Sequence, residues 1–206
     1  MVDIQVSIDE EQLRRINAVL YTAPEKARTV LHNSIKRGLE AGRTKADREV
    51  RQRYDITSGN LNANKNVRTR VQGLGDEVIG ELEFSGQKIP LYKFHPSPKT
   101  RQYTSRYVNG YGGWRVTGPV SAADVKGRMQ ARPQGFIATF ASGHTGIFKR
   151  TGGTTSGGKE KIEEYWGFSI KDMLDYDPAR EAVMDRIDEI TSKRIEQELY
   201  RILNGF

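Results

Sequence analysis

The chain lacks most of the features that would direct it towards one particular chemistry. It contains no cysteine, which excludes disulfides and thiolate metal sites and favours synthesis in a reducing compartment. No window approaches eighteen consecutive apolar residues, so we expect no membrane-spanning helix. The first residues have neither the basic start nor the apolar stretch of a secretory signal, and we expect no such signal.

Signals for catalysis and for metal binding are equally sparse. The three histidines, His32, His95 and His144, are far apart and have no second ligand at metal-binding spacing. The segment from Gly153 to Glu160 approaches a phosphate-binding loop, but Glu160 stands where that loop needs the hydroxyl that binds Mg²⁺. We therefore expect no enzyme activity, no metal and no cofactor.

Charge is abundant and unevenly distributed. The net charge is +7. Residues 26–70 contain twelve Lys or Arg against four Asp or Glu, whereas residues 160–206 contain seven against twelve. Such an asymmetry fits contact with nucleic acid, or pairing of the basic region with the acidic one within a chain or between neighbouring copies.

Hydrophobic periodicity predicts an α+β fold in which an antiparallel sheet packs with one long N-terminal helix and one long C-terminal helix. The long basic helix is expected over Glu25–Tyr54. The closing helix is expected to run to about Leu203, with Asp177 as its cap. We expect one domain over residues 1–206.

Shorter elements and loops complete this prediction. Two short helices are expected, one over Glu10–Tyr21 and one that starts at Thr57 or Ser58. Segments without periodicity, at about 95–113 and 151–160, are expected to be extended loops. The expected strands are residues 2–8, Asn66–Val71, Glu77–Phe84, Lys88–Phe94, Trp114–Val125, Ile162–Ile170, and a hairpin of Phe136–Phe140 with Thr145–Lys149.

Two groups of residues are candidates for an interface or for the lining of a channel. The 95–113 loop interleaves basic and aromatic side chains, which suits stacking on single-stranded nucleic acid but is favoured here as a protein interface. The basic helix suits a phosphate backbone, although a solvated helix face is the commoner explanation for any one residue. The candidates are Arg43, Lys45, Arg48, Arg51 and Arg53 on the helix and Arg101, Tyr103, Arg106 and Tyr107 in the loop.

Four segments in a fixed order resemble a known family of assembly proteins. They are Ala46–Ile56, Ile89–Phe94, Gly135–Arg150 and Gly167–Met173. Together they resemble the minor tail protein Z family of tailed bacteriophages, whose members are also described as tail completion proteins. The resemblance extends from about residue 25 to about residue 175.

One of these segments departs from the family's pattern. Phe168 and Lys171 stand where that pattern usually has prolines. The departure concerns the detail of the strand near Ile170, and the other three segments do not depend on it.

The resemblance implies a structural virion protein that completes the head-proximal end of a long tail and supports head–tail joining. It implies a homohexameric ring, assembled in the host cytoplasm, without catalytic residues. Its implied partners are the tail tube or tail terminator, the head connector proteins and, non-specifically, phage DNA in the channel. The alternative is a nucleic-acid-binding module that uses the basic helix and the Tyr/Arg loop. An enzyme such as a nuclease is disfavoured because the chain has no cluster of carboxylates or histidines.

Overall fold

The computed structural model describes most of the chain, and the described part forms two compact units. The first, the helix unit, comprises Met1–Val50, Asn62–Gly86 and Ile170–Phe206. The second, the strand unit, comprises Arg51–Leu61 and Gln87–Ser169. The described residues are 2–6, 8, 11, 14, 16, 18, 21, 24–62, 66–74, 77–100, 102–108, 111–117 and 119–204. For residues 102–108 and 111–117 the description is of the backbone. The expectation of a single domain stays a prediction.

The described elements include two long helices, two short helices and twelve strands. The helices are α1 (Pro24–Arg53), α2 (Ser58–Asn62), α3 (Ile170–Leu174) and α4 (Asp177–Leu203), and a 3-10 turn covers Leu91–Lys93. The strands are β1 (Val2–Val6), β2 (Val67–Leu74), β3 (Glu77–Phe84), β4 (Lys88–Pro90), β5 (Gln102–Val108), β6 (Tyr111–Thr117), β7 (Val120–Ala122), β8 (Gln130–Arg132), β9 (Phe136–Thr139), β10 (Thr145–Thr154), β11 (Glu160–Glu164) and β12 (Trp166–Ser169).

The helix unit packs α1 against an antiparallel sheet with the order β1-β3-β2. The central strand β3 presents Leu82 and Phe84 to the core, where both are almost fully buried. Gly80 lies on the same face of β3, two residues before Leu82. A Cβ atom at Gly80 would overlap Ile35 of α1. The absent side chain therefore lets the helix approach the sheet closely.

The two long helices of this unit also touch through small residues. Gly38 and Gly42 lie one turn apart on α1, and a Cβ atom on either would overlap Thr191 or Ile187 of α4. Both of these α4 side chains are buried. The α4 helix is therefore packed against α1 along a face that has no room for larger side chains.

The strand unit is built from short antiparallel pairs. Its largest sheet has the order β11-β10-β9, and three further pairs are β4 with β12, β5 with β6, and β7 with β8. Tyr165 connects two of these sheets, because its N–H donates to the Ile147 carbonyl (2.8 Å) and its carbonyl accepts from the Leu91 N–H (3.0 Å).

The structure confirms the α+β class, with long N- and C-terminal helices and antiparallel sheets. The expected hairpin over Phe136–Phe140 and Thr145–Lys149 is present as β9 and β10, although β10 continues to Thr154. The second short helix is also present. Thr57 caps it, because its hydroxyl accepts a hydrogen bond from the Asn60 N–H at 3.3 Å.

Three expectations about local structure were wrong, and a fourth cannot be compared. The 95–113 segment is not an irregular loop throughout, since β5 pairs with β6 along its whole length. The 151–160 segment is strand at Thr151–Thr154 and again at Glu160, with a turn between them. The cap of α4 is Tyr176, without a side-chain hydrogen bond, and Asp177 is already helical. The expected helix over 10–21 lies largely outside the described residues.

Candidate interaction surfaces

The basic candidates on α1 lie in different surroundings rather than on one stripe. Successive helical residues are about 100° apart, so the five positions are distributed around most of the helix. Arg43 and Arg48 are exposed, whereas Lys45 is half-buried and its Nζ lies 2.7 Å from Oε1 of Glu49. A continuous phosphate track along one face of α1 is therefore not formed by these residues alone.

Lys45 and Arg48 line a groove between α1 and α4 within the helix unit. Its volume is about 860 Å³. Ala41 and Ile190 contribute small or apolar surface, and the other lining residues are mostly charged. These charged residues include Arg37, Glu40, Asp185, Arg186 and Glu189. The two bases therefore share this groove with acidic residues of α4 from their own chain.

Arg51 and Arg53 belong to the strand unit. Arg51 is half-buried and Arg53 is exposed, with its guanidinium carbon 5.9 Å from the centre of the Tyr54 ring. The Arg53 carbonyl accepts a hydrogen bond from the Lys126 N–H at 2.9 Å. The last turn of α1 therefore contacts the turn at Lys126 through a backbone hydrogen bond within the strand unit.

The side chains of the aromatic and basic candidates in the 95–113 segment lie outside what the structure describes. Arg101 is not among the described residues, and for Tyr103, Arg106 and Tyr107 the backbone alone is described. Their backbone lies in β5, which pairs with β6 from Gln102 opposite Thr117 to Val108 opposite Tyr111. Their part in an interface stays a prediction.

The C-terminal helix carries an acidic ridge that the sequence analysis did not single out. The ridge consists of Glu181, Asp185, Asp188 and Glu196, all of which are exposed. Their spacing of four, three and eight residues places them on one side of α4. In the part of the chain that the structure describes, none of the four has an ion-pair partner.

Repulsion within the ridge is visible at one of its members. Partial burial, and then the negative charge of Asp185, raise the pKa of Asp188 above its ordinary value. A row of like charges on one helix face is unfavourable by a few tenths of a kcal/mol per neighbouring pair. The ridge is therefore a surface that a cationic partner would stabilise.

The β10–β11 hairpin projects beyond its own sheet. We name the segment Lys149–Glu164 the ribbon. Strand β9 pairs with β10 only as far as Phe148, so among the described strands β11 is the one neighbour of the outer part of β10. Every residue from Thr151 to Glu163 is exposed, which means that both faces of the ribbon lie in solvent.

The ribbon is nevertheless regular. Its strands are joined by ion pairs of Arg150 with Glu160 at 2.7 Å and of Lys149 with Glu163 at 3.0 Å. Glu163 raises the pKa of Lys149 by its hydrogen bond and its charge. The turn is closed by a hydrogen bond of 2.8 Å from the Thr155 N–H to the Lys159 carbonyl. An extended loop was expected over about 151–160.

Two histidines each contact a carboxylate. Nδ1 of His95 lies 2.8 Å from Oδ1 of Asp55, and Nε2 of His144 lies 2.9 Å from Oε1 of Glu164. The second pair joins the turn of the β9–β10 hairpin to the end of β11. Both histidines are exposed, in line with the expectation of surface or turn positions. Each pair holds together segments that are distant in sequence.

Parts of the four segments that carry the family resemblance lie together in the strand unit, namely Arg51–Ile56, Ile89–Phe94, Gly135–Arg150 and Gly167–Ser169. Tyr54 contacts Phe168 edge to face, with ring centres 5.4 Å apart. Strand β4 of the second segment pairs with β12 of the fourth. Gly167 faces the ring of Phe94, which a Cβ atom there would overlap. The hairpin of the third segment joins them through the hydrogen bond from Tyr165 to Ile147.

Among the residues that the structure describes, no group of three or more His, Cys, Asp or Glu side chains could hold a metal ion. No helix in the described part of the chain is long and apolar enough to cross a bilayer. No protein-family model, curated protein or solved structure matches the chain.

Proposed function

We propose that this chain is a structural virion protein that completes the head-proximal end of a phage tail and supports head–tail joining as a ring. One observation carries the proposal. The parts of the four resembling segments that lie in the strand unit, although up to about 120 residues apart in sequence, contact one another or are linked through Tyr165. Segments that share a core are constrained together, so a joint resemblance in all four is more specific than a resemblance in any one.

The distribution of charge supports assembly from identical copies. A ring needs two different surfaces on each copy, one of which fits the other on its neighbour. The acidic ridge of α4 offers one such surface, and the chain has an excess of basic residues elsewhere. The proposed partners are further copies in a homohexamer, the tail tube or tail terminator, the head connector proteins and, without sequence preference, the DNA in the channel.

Genetic complementation tests the proposal. In the phage that encodes the chain, an early stop codon in its gene is expected to give filled heads and full-length tails that remain separate. Addition of the purified chain to such an extract is expected to restore joined particles, counted by electron microscopy and by plaque titre. Joined, infectious particles formed without the chain would contradict the proposal.

A nucleic-acid-binding module is the second candidate. The exposed Arg48 favours it, since no ion pair of Arg48 occurs in the described structure. In that case the isolated chain would bind duplex DNA with an affinity that falls steeply with salt. Retardation of DNA by a chain that neither forms rings nor joins heads to tails would favour this candidate over the first.

A further inference from the structure

The ribbon projects from the core of its own chain and touches it near its base, where the Arg150 guanidinium carbon lies 4.0 Å from the centre of the Phe136 ring. Both of its faces are in solvent from Thr151 to Glu163, and a two-stranded hairpin without a covered face is marginally stable in water. The cross-strand ion pairs and the closed turn keep its two strands in register. A projecting element of regular shape, whose residues from Thr151 to Glu163 are all exposed, is suited to contact with another molecule.

The charges at the end of the ribbon indicate that this molecule carries a negatively charged surface. Arg150 and Lys149 are neutralised across the ribbon by Glu160 and Glu163. The ammonium groups of Lys159 and Lys161, by contrast, have no ion-pair partner within the described part of the chain. They are two residues apart, which corresponds to about 7 Å along a strand. The end of the ribbon therefore presents two free positive charges.

The chain itself carries the complementary surface. Asp185 and Asp188 of the acidic ridge are one turn apart on α4, with Cβ atoms about 5–6 Å apart. This spacing is close to that of the two lysines. DNA is the alternative partner of the two lysines, and retardation of duplex DNA distinguishes it from a second copy.

We infer that the ribbon is an arm that docks on a second copy of this chain, with Lys159 and Lys161 against the acidic ridge of that copy. The contact is heterologous, because the arm of one copy meets the helix of the next and leaves the second copy's own arm free. Repeated from copy to copy, such a contact generates a ring where the rotation closes, which is the arrangement that the proposed function requires. The inference deepens the proposed function, since it assigns the two surfaces by which the proposed ring would close.

Charge reversal on the two surfaces tests the arm. The arm variant is Lys159→Glu with Lys161→Glu, and the helix variant is Asp185→Lys with Asp188→Lys. Lys126→Glu with Arg128→Glu is the matched control, because these exposed bases lie in a turn whose backbone N–H groups donate to the Arg53 and Val125 carbonyls and not to the ribbon. The mass of each purified protein is measured by light scattering at 0.1 M salt. Each reversal is expected to raise the concentration for half-assembly at least about tenfold, and the control is expected to assemble as wild type.

A mixture of the arm variant and the helix variant gives the sharper result. The negative arm of one protein fits the positive ridge of the other, and the positive arm of the second fits the negative ridge of the first. Neither protein alone should assemble, whereas the equimolar mixture should, with the two proteins alternating. Recovery of assembly in the mixture is expected only for a contact between different molecules.

The opposing outcomes are separate. If wild type assembles and both reversals assemble equally well, the inference that the ribbon docks on a second copy is wrong. The proposal of a ring is then unaffected. If wild type itself remains a monomer of 23.3 kDa at all concentrations, both the ring and the arm are wrong. If the arm variant assembles normally but no longer retards duplex DNA, the ribbon contacts nucleic acid and the inference is overturned.

Discussion

Gly38 of α1 lies directly against the hydroxyl of Thr191 in α4, so closely that a Cβ atom at position 38 would overlap it. The same relationship is repeated one turn later between Gly42 and Ile187. The crossing of the two long helices in the helix unit therefore depends on two positions without side chains. It also places the acidic face of α4 on the side away from the core.

Gly38→Val is expected to destabilise the chain by about 1–3 kcal/mol, because the added methyl groups must displace buried side chains of α4. Thermal or urea denaturation measures the loss. Gly59→Ala is the matched control. A Cβ atom at position 59 would have no other atom within 4 Å, and alanine stabilises helix α2 relative to glycine by about 0.5–1 kcal/mol. Equal melting of Gly38→Val and wild type would mean that the two helices do not cross at this point.

Thr191→Val is expected to stabilise the chain by about 1 kcal/mol. The Thr191 hydroxyl is buried and, within the described structure, has no hydrogen-bond partner. Valine has nearly the same shape and removes the cost of burying an unsatisfied polar group.

Thr44→Val is the comparison for this substitution. The Thr44 hydroxyl donates to the Glu40 carbonyl at 3.0 Å in an exposed turn of α1, so its loss should not raise the melting temperature. A stabilisation by both substitutions would point to helix propensity rather than to the buried hydroxyl.

How far the sequence predicts this fold depends on the range of the interaction that fixes each element. The bounds of α1 and α4 follow from apolar residues at helical spacing, and β3 follows from alternation in Glu77–Phe84. The helix that packs against α1 cannot be predicted in this way, because Gly38 and Thr191 are in contact although they are more than 150 residues apart in sequence. Local periodicity carries no information about such contacts.

Two local signals in the sequence nevertheless indicate further features, a hairpin and an acidic helix face. Asn109-Gly110 separates Val108 from Tyr111, which pair with each other, and this dipeptide is the one favoured in two-residue hairpins. The spacing of Glu181, Asp185 and Asp188 already placed three acidic residues on one side of the closing helix. What could not be predicted is that these acids would lack partners, because that depends on tertiary packing.

The β9–β10 hairpin is expected to be critical for stability. Phe136 and Phe148 are each 4% exposed, whereas Phe140 is 44% exposed. Phe148→Ala or Phe136→Ala should therefore cost about 3–5 kcal/mol, which is a large share of the stability of a typical domain. Phe140→Ala serves as the control in the same hairpin and should cost clearly less. Similar melting curves for all three variants would show that the hairpin contributes little to the core.

In the dissociated monomer, where no second copy contacts α4, Asp188→Asn is expected to stabilise the chain at pH 7 and to have little effect at about pH 3. The pKa of Asp188 is raised in the folded chain by partial burial and then by Asp185. A carboxyl whose pKa is raised on folding favours the folded state only while it is protonated, so its ionisation lowers stability as the pH rises through the folded pKa. Asparagine remains neutral and avoids this loss at pH 7. Below the ordinary aspartate pKa the wild-type side chain is neutral as well, and the two proteins should then melt alike.

Melting temperatures of wild type and Asp188→Asn, measured in parallel from pH 3 to pH 7, give the difference directly. Glu196→Gln is the matched control, because it removes a charge from the same ridge about 12 Å further along α4, where repulsion from Asp185 is weaker. The ordering of the two variants matters more than the size of either effect, since Asp188 is exposed and its repulsion is partly screened. A stabilisation by Asp188→Asn that persists unchanged at pH 3 would assign the effect to helix propensity or packing. A destabilisation at pH 7 would mean that Asp188 is held by a cation in solution, which is the role that the arm of a second copy would play.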